Sequence, residues 1–173
     1  KVLHGGSSVS VEPQERAIRF FGCDMVQSYG QVESSGSLTF LHAEDHSRDE
    51  SASSIRKLAS VGKEAIGVEV RVVDERGRVI GRQQVGEVIA RGANVFEGYF
   101  RDPGFTAEVL KEGWLHTGDV ASVDDEGYIS VVYRKRDTLI IGGISVYPRE
   151  IENVIAEHPA VSEAAVVGKP DYT

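Results

Sequence analysis

The spacing of apolar positions changes along this chain, and each change predicts a different kind of element. Residues 10–21 place Ala17, Ile18 and Phe21 on one helical face, with Ser10 positioned as an N-cap and Pro13 suited to the first turn. Asp24 to Tyr29 is a short strand ended by Gly30, and the polar, acidic stretch 42–54 is a loop. From Ile66 the period falls to two. Val68, Val70 and Val72 alternate with Glu69 and Arg71, as a half-buried strand requires. Asp74-Glu75-Arg76-Gly77 is then a turn and Gly86 to Arg91 a further strand. A short helix over 104–111 ends at Gly113, and strands 118–123 and 128–133 flank a second turn, Asp124-Asp125-Glu126-Gly127.

At Arg134 the texture changes again. A charged linker, Arg134-Lys135-Arg136-Asp137, leads to Leu139-Ile140-Ile141 and the Gly142-Gly143 break, expected as a tight turn between a strand and a helix. Pro148 opens that helix, its apolar face is Ile151, Val154 and Ile155, and Pro159 stops it. Val161 to Val167 follows as a buried strand. These changes of texture divide the chain into 1–64, a run of antiparallel strands over 65–136 that reads as a small barrel or sandwich, and 137–173 beyond the linker. About forty residues after the linker are too few for an independent core. Together with an abrupt start at Lys1 this leads us to expect a piece of a longer protein.

Composition narrows the function. Apolar residues make up 40% and charged residues 27%, and the formal net charge is −8. That balance opposes nucleic acid as a main partner, because phosphate backbones need a basic face. It leaves nucleotides open, since a few local groups can hold one. A single cysteine, Cys23, excludes an intrachain disulfide and fits a reducing, cytoplasmic setting, with Cys23 itself a packing residue in Phe20-Phe21-Gly22-Cys23. No apolar run reaches the ~18 residues that span a bilayer.

Five local patterns carry candidate chemistry: Gly5-Gly6-Ser7, Tyr29-Gly30-Gln31-Val32-Glu33, Gly113-Trp114-Leu115-His116-Thr117-Gly118-Asp119, Tyr133-Arg134-Lys135-Arg136-Asp137, and Gly142-Gly143-Ile144-Ser145-Val146-Tyr147-Pro148-Arg149-Glu150-Ile151-Glu152. On chemistry alone, Tyr29 is either a core tyrosine before a turn or a flat face for a purine. Glu33 is either a solvated carboxylate or an oxygen ligand for Mg²⁺. Asp119, at the mouth of the second hairpin, is either part of a turn or an acceptor for two adjacent ribose hydroxyls. Trp114 and His116 are packing residues.

In this order and spacing the five patterns resemble the adenylate-forming superfamily of acyl-CoA synthetases, luciferases and peptide-synthetase adenylation domains, over essentially the whole chain. The resemblance implies a mixed α/β fold, the C-terminal part of the large adenylate-forming domain followed by the start of the small one: the end of an α/β nucleotide-binding subdomain over 1–64, an antiparallel β-barrel-like subdomain over 65–136, and the start of a small α+β domain over 137–173. It implies that Gly5, Gly6, Tyr29 and Gly30 surround the adenine of ATP or AMP, that Asp119 holds the ribose, that Arg134 contacts the nucleotide and that Glu33 binds Mg²⁺. It makes Asp137 a hinge for domain rotation, with Gly142 and Gly143 lining the CoA channel. Val32 departs from the family's threonine and loses a hydroxyl that bonds the phosphate.

The wording of residues 142–152 resembles the acyl-CoA branch. The activity implied is therefore an ATP-dependent acid–thiol ligase acting on a carboxylic acid, by family style a fatty acid, through an acyl-AMP and transfer to CoA. The family's phosphate-gripping loop and C-terminal catalytic lysine match nothing between Lys1 and Thr173, and Lys135 and Lys169 belong to other segments. No complete catalytic set is expected here, so this chain alone should not catalyse adenylation. Two rivals stand beside this reading: a peptide-synthetase or luciferase-like domain, and a non-catalytic nucleotide-binding or scaffolding module. Expected partners are the acid, ATP and CoA, with self-association of the isolated chain where apolar surface is bared.

Overall fold

The structure is a computed structural model that describes residues 1–6, 11–46, 51–82, 84–156 and 158–169. It divides into two compact units, Lys1–Val132 and Tyr133–Thr173.

The first unit begins with strand β1 (Val2–Gly5), helix α1 (Val11–Phe21) and strand β2 (Met25–Tyr29). β1 and β2 pair in parallel, so α1 is the crossover that parallel pairing demands. β3 (Thr39–Leu41) and β4 (Lys63–Glu64) extend this sheet antiparallel, in the order β1-β2-β3-β4, with helix α2 (Ala52–Leu58) between them in the chain. Ile18, Met25, Leu41, Leu58 and Tyr128 close over one another as its core.

The expected helix over 10–21 is present, though Ser10 lies outside the described residues. Of its expected face Ile18 is buried and Ala17 packs beside it, Gln14 joins them, and the Gln14 side-chain amide donates to the Leu58 carbonyl at 3.2 Å. Phe21, expected on that face, is 57% exposed and packs edge-on against Phe20, because the helix outruns the surface beneath it. α2 occupies the end of the expected 42–54 loop. Its apolar content is too thin for periodicity to show, and a cap signals it instead: the Ser51 hydroxyl accepts from the Ser54 N–H at 3.2 Å.

The second sheet is a strand-rich, curled antiparallel half-barrel in the order β5 (Val68–Val73), β6 (Val85–Gly92), β8 (Trp114–Val123) and β7 (Leu110–Lys111), with β9 (Ile129–Arg134) also paired to β8. Helix α3 (Pro103–Val109) precedes β7, capped by the Asp102 carboxylate on the Phe105 N–H at 2.9 Å. Both expected turns are present. In each an aspartate, Asp74 or Asp124, accepts from the N–H groups two and four residues on. Val61, Val88, Ala121 and Ile129 form this sheet's core. The two sheets are tied where Val61 donates to the Ile129 carbonyl (2.7 Å) and Ile129 to that of Gly62 (2.9 Å).

The second unit, described by itself, holds a 3-10 turn (Lys135–Asp137), the hairpin β10 (Leu139–Ile141) and β11 (Ile144–Val146), and helix α4 (Pro148–Ala156). Gly142-Gly143 is therefore a two-residue turn between strands rather than between strand and helix, and φ of 58° and 83° suits it to a hairpin. Ile151, Val154 and Ile155 are exposed, because a two-stranded hairpin offers α4 little apolar surface. The expected buried strand over 161–167 does not form. Its described backbone joins no ladder, the Val166 N–H bonds the Glu152 carboxylate at 2.8 Å, and Val167 is exposed.

Candidate functional site

Parallel strands end together, and that places the first two motifs side by side. Gly5 pairs with Ser28 in the β1–β2 register, so Gly5-Gly6 and Tyr29-Gly30 leave the sheet at the same carboxyl edge. In open α/β sheets that edge is where ligands bind. Close approach accounts for Gly30: a Cβ there would stand 1.5 Å from the Gly36 carbonyl oxygen.

Past Gly30 the chain makes a 3-10 turn over Val32–Ser34. Ser34, fully buried, donates its hydroxyl to the Gln31 carbonyl at 2.9 Å and accepts from the Gln31 N–H at 3.1 Å. This turn presents Val32, which is 90% exposed, and holds Glu33 half-buried.

Asp119 comes from the other sheet. Its motif lies within β8 rather than at a hairpin mouth, at a bulge: Glu87 pairs with Val120, yet Ile89 pairs with His116. Three residues of β8, Thr117-Gly118-Asp119, thus stand opposite Val88 alone. Bulges re-aim side chains and recur beside active sites. Gly118 adopts a φ of 73°, and the Thr117 hydroxyl donates to the Val88 carbonyl at 2.8 Å while accepting from the Asp119 N–H at 3.1 Å. Glu87 grips the bulge from β6, accepting from the Gly118 N–H at 3.2 Å and lying 3.1 Å from His116 Nδ1. Trp114 packs with Arg71 and Arg91, each guanidinium 4.6 Å from its ring centroid.

The result is a carboxylate from β8 meeting a tyrosine from β2. Tyr29 donates its hydroxyl to Asp119 Oδ2 at 2.8 Å, across 90 positions of sequence, and Asp119 is only 3% exposed. Tyr29 is half-buried, so its ring is neither wholly core nor wholly free.

Glu33 is held by residues that the motifs do not name. Tyr99 donates its hydroxyl to Glu33 Oε1, and the Phe96 N–H donates to the Glu33 carbonyl at 2.8 Å. The Asn94 side-chain amide donates to the Ser34 and Ser37 carbonyls, both at 3.0 Å. Nothing in the neighbouring sequence marks these residues, because what they do rests on contacts some sixty positions away. Among the described residues no group of three or more His, Cys, Asp or Glu could hold a metal ion. A cation at Glu33 would then draw most of its oxygens from water or phosphate, a donor set that suits Mg²⁺.

The remaining predicted residues belong to the second unit. Arg134 ends β9, Asp137 closes the 3-10 turn beside Arg136, and Gly142 and Gly143 form the exposed hairpin turn. No helix of the described residues is long and apolar enough to cross a membrane.

Comparison with known proteins bears on the family and the fold. The chain is 39% identical over 170 residues, 98% of its length, to the medium/long-chain-fatty-acid–CoA ligase FadD8 of Mycobacterium tuberculosis, and covers 28% of that protein. Its fold matches the amide bond synthetase McbA from Marinactinospora thermotolerans with a TM-score of 0.84 at 37% identity, covering 99% of this chain and 33% of that one. It matches the o-succinylbenzoate CoA synthetase MenE from Bacillus subtilis, in complex with ATP and magnesium ion, with a TM-score of 0.80 at 34% identity, covering 98% of this chain and 34% of that one. The chain thus spans about a third of the length of these relatives. Residues 150–173 match the C-terminal domain of AMP-binding enzymes and residues 1–100 match the AMP-binding enzyme family itself. With more than half of its length matched, the chain belongs to the AMP-binding, adenylate-forming enzyme family.

Proposed function

We propose that this chain forms the adenine-, ribose- and magnesium-contacting part of an acid–thiol ligase. In that enzyme ATP and a carboxylic acid give an acyl-adenylate, from which the acyl group passes to CoA. The observation that carries the reading is the Tyr29–Asp119 hydrogen bond, which brings an aromatic face and a carboxylate to one sheet edge from two sheets. A ribose diol donates two hydrogen bonds, and a carboxylate held by a bulge is a preorganised acceptor for them. Tyr29 would offer its ring to adenine, with Gly5, Gly6 and Gly30 bordering the base. Because Asp119 is nearly closed off, nucleotide entry moves the Tyr29 hydroxyl aside.

Glu33 would hold Mg²⁺, which neutralises phosphate charge when bound. Arg134 would contact the nucleotide, Asp137 would act as a hinge, and the Gly142-Gly143 turn would line the CoA path. Family likeness to FadD8 makes a medium- or long-chain fatty acid our preferred substrate, and the lone, half-buried Cys23 fits a cytoplasmic setting. Since the chain matches neither a phosphate-gripping loop nor a catalytic lysine, we expect it alone to bind nucleotide without turnover. The likeness to McbA favours a second reading, transfer of the acyl group to an amine. Supplying the full-length protein with CoA or an amine separates the two.

The test is calorimetric titration with AMP. Asp119→Ala should weaken binding roughly 10- to 100-fold, the worth of hydrogen bonds to a charged acceptor. Unchanged affinity would sink the assignment. Pyrophosphate exchange by the isolated chain would overturn the expectation that it binds without turnover.

A further inference from the structure

Glu33 carries its carboxylate on a long side chain from a half-buried turn, and such a group samples many rotamers unless something holds it. In this structure the hold comes from sixty-six positions away. Tyr99 donates its hydroxyl to Glu33 Oε1, while Oε2 accepts no hydrogen bond from the described residues.

The Tyr99 ring is itself fixed. It lies against Phe105 with ring centroids 4.8 Å apart and planes 19° apart, and edge-on to Phe96 at 4.9 Å. The Tyr99 N–H donates to the Thr106 hydroxyl at 2.9 Å, which anchors the residue to α3. The same loop holds the backbone of the Glu33 turn through Phe96 and Asn94. Backbone and carboxylate are thus gripped from one side, and one oxygen is left to face a ligand.

We propose that Tyr99 is a positioning residue for the divalent cation: it locks the Glu33 carboxylate so that a single oxygen is presented. This rests on the reading of Glu33 as the magnesium carboxylate. One monodentate oxygen matches Mg²⁺, which keeps several waters and takes few protein ligands. The neutral phenol holds the carboxylate without cancelling its charge.

The experiment uses the full-length protein, with Tyr99→Phe, Glu33→Gln and the double variant. Tyr99→Phe keeps the ring and its stacking and removes only the donor. Mn²⁺ binding is read by electron paramagnetic resonance with a non-hydrolysable ATP analogue present, AMP binding is read without metal, and melting is recorded for each variant.

The expected result is a Mn²⁺ dissociation constant raised about 3- to 10-fold by Tyr99→Phe, the effect of returning rotamer freedom to Glu33. Metal-free AMP affinity and the melting midpoint stay put, and in the Glu33→Gln background the Tyr99 change has no further effect. Should Glu33→Gln weaken Mn²⁺ while Tyr99→Phe leaves it unchanged, the magnesium reading stands and this proposal falls. If neither variant alters Mn²⁺ binding, both fall. A Tyr99→Phe protein that melts several degrees lower, or loses AMP and metal affinity alike, makes the hydroxyl structural and also overturns the proposal.

Discussion

Single residues decide how tightly the loop that carries Glu33 closes on itself. Gly30 is the clearest case, because the Gly36 carbonyl occupies the space a side chain would need. Gly30→Ala must push apart the loop that carries Val32 and Glu33. We expect a loss of about 1–3 kcal/mol or more, the usual cost of overpacking a tight site, read as a lower denaturation midpoint. Sequence motifs pointed to Tyr29, Gly30, Glu33 and Asp119, because each has a chemistry that its neighbours make unusual. Asn94, Tyr99 and Glu87 were not legible in that way. Their work lies in contacts with residues dozens of positions away, and nothing adjacent to them in the chain announces it.

Elements set the direction in which those residues point. Pattern reading found the strands of the half-barrel, since period two survives wherever one face is buried. It shortened β8 and set Asp119 at a hairpin mouth, because a bulge adds residues without changing composition. The bulge depends on Thr117, whose hydroxyl serves both the Val88 carbonyl and the Asp119 N–H. Thr117→Val keeps the shape and strands both groups, at a cost on the order of 1–3 kcal/mol. Denaturant melts should show that loss, and AMP titration should show weaker binding as Asp119 drifts. Thr117→Ser should restore much of each.

At the scale of the molecule, the first unit is two sheets held together, and Tyr128 is one of the ties. It is buried beside the β1–β4 sheet core, donates its hydroxyl to Asp45, and has the Lys63 ammonium 4.3 Å from its ring centroid. Burial, and next the bond to Asp45, push its phenol up to about 12. Unfolded, a tyrosine ionises near pH 10, roughly the model-peptide value. Its contribution to stability is therefore complete below pH 10 and is lost as pH rises from there towards 12. Denaturation midpoints measured at steps from pH 9 to 12 should fall more steeply for the wild type than for Tyr128→Phe. Hydrophobic period and turn chemistry by themselves determined that the chain is mixed α/β with an antiparallel core, and motif order determined its family, because both are written in neighbouring residues. Tertiary structure alone decided that β1 and β2 run parallel so that Gly5 and Tyr29 share an edge, that a bulge hands Asp119 to Tyr29, and that Tyr99 holds Glu33. Those are pairings between distant positions, and only closing the loops between them makes the contacts exist.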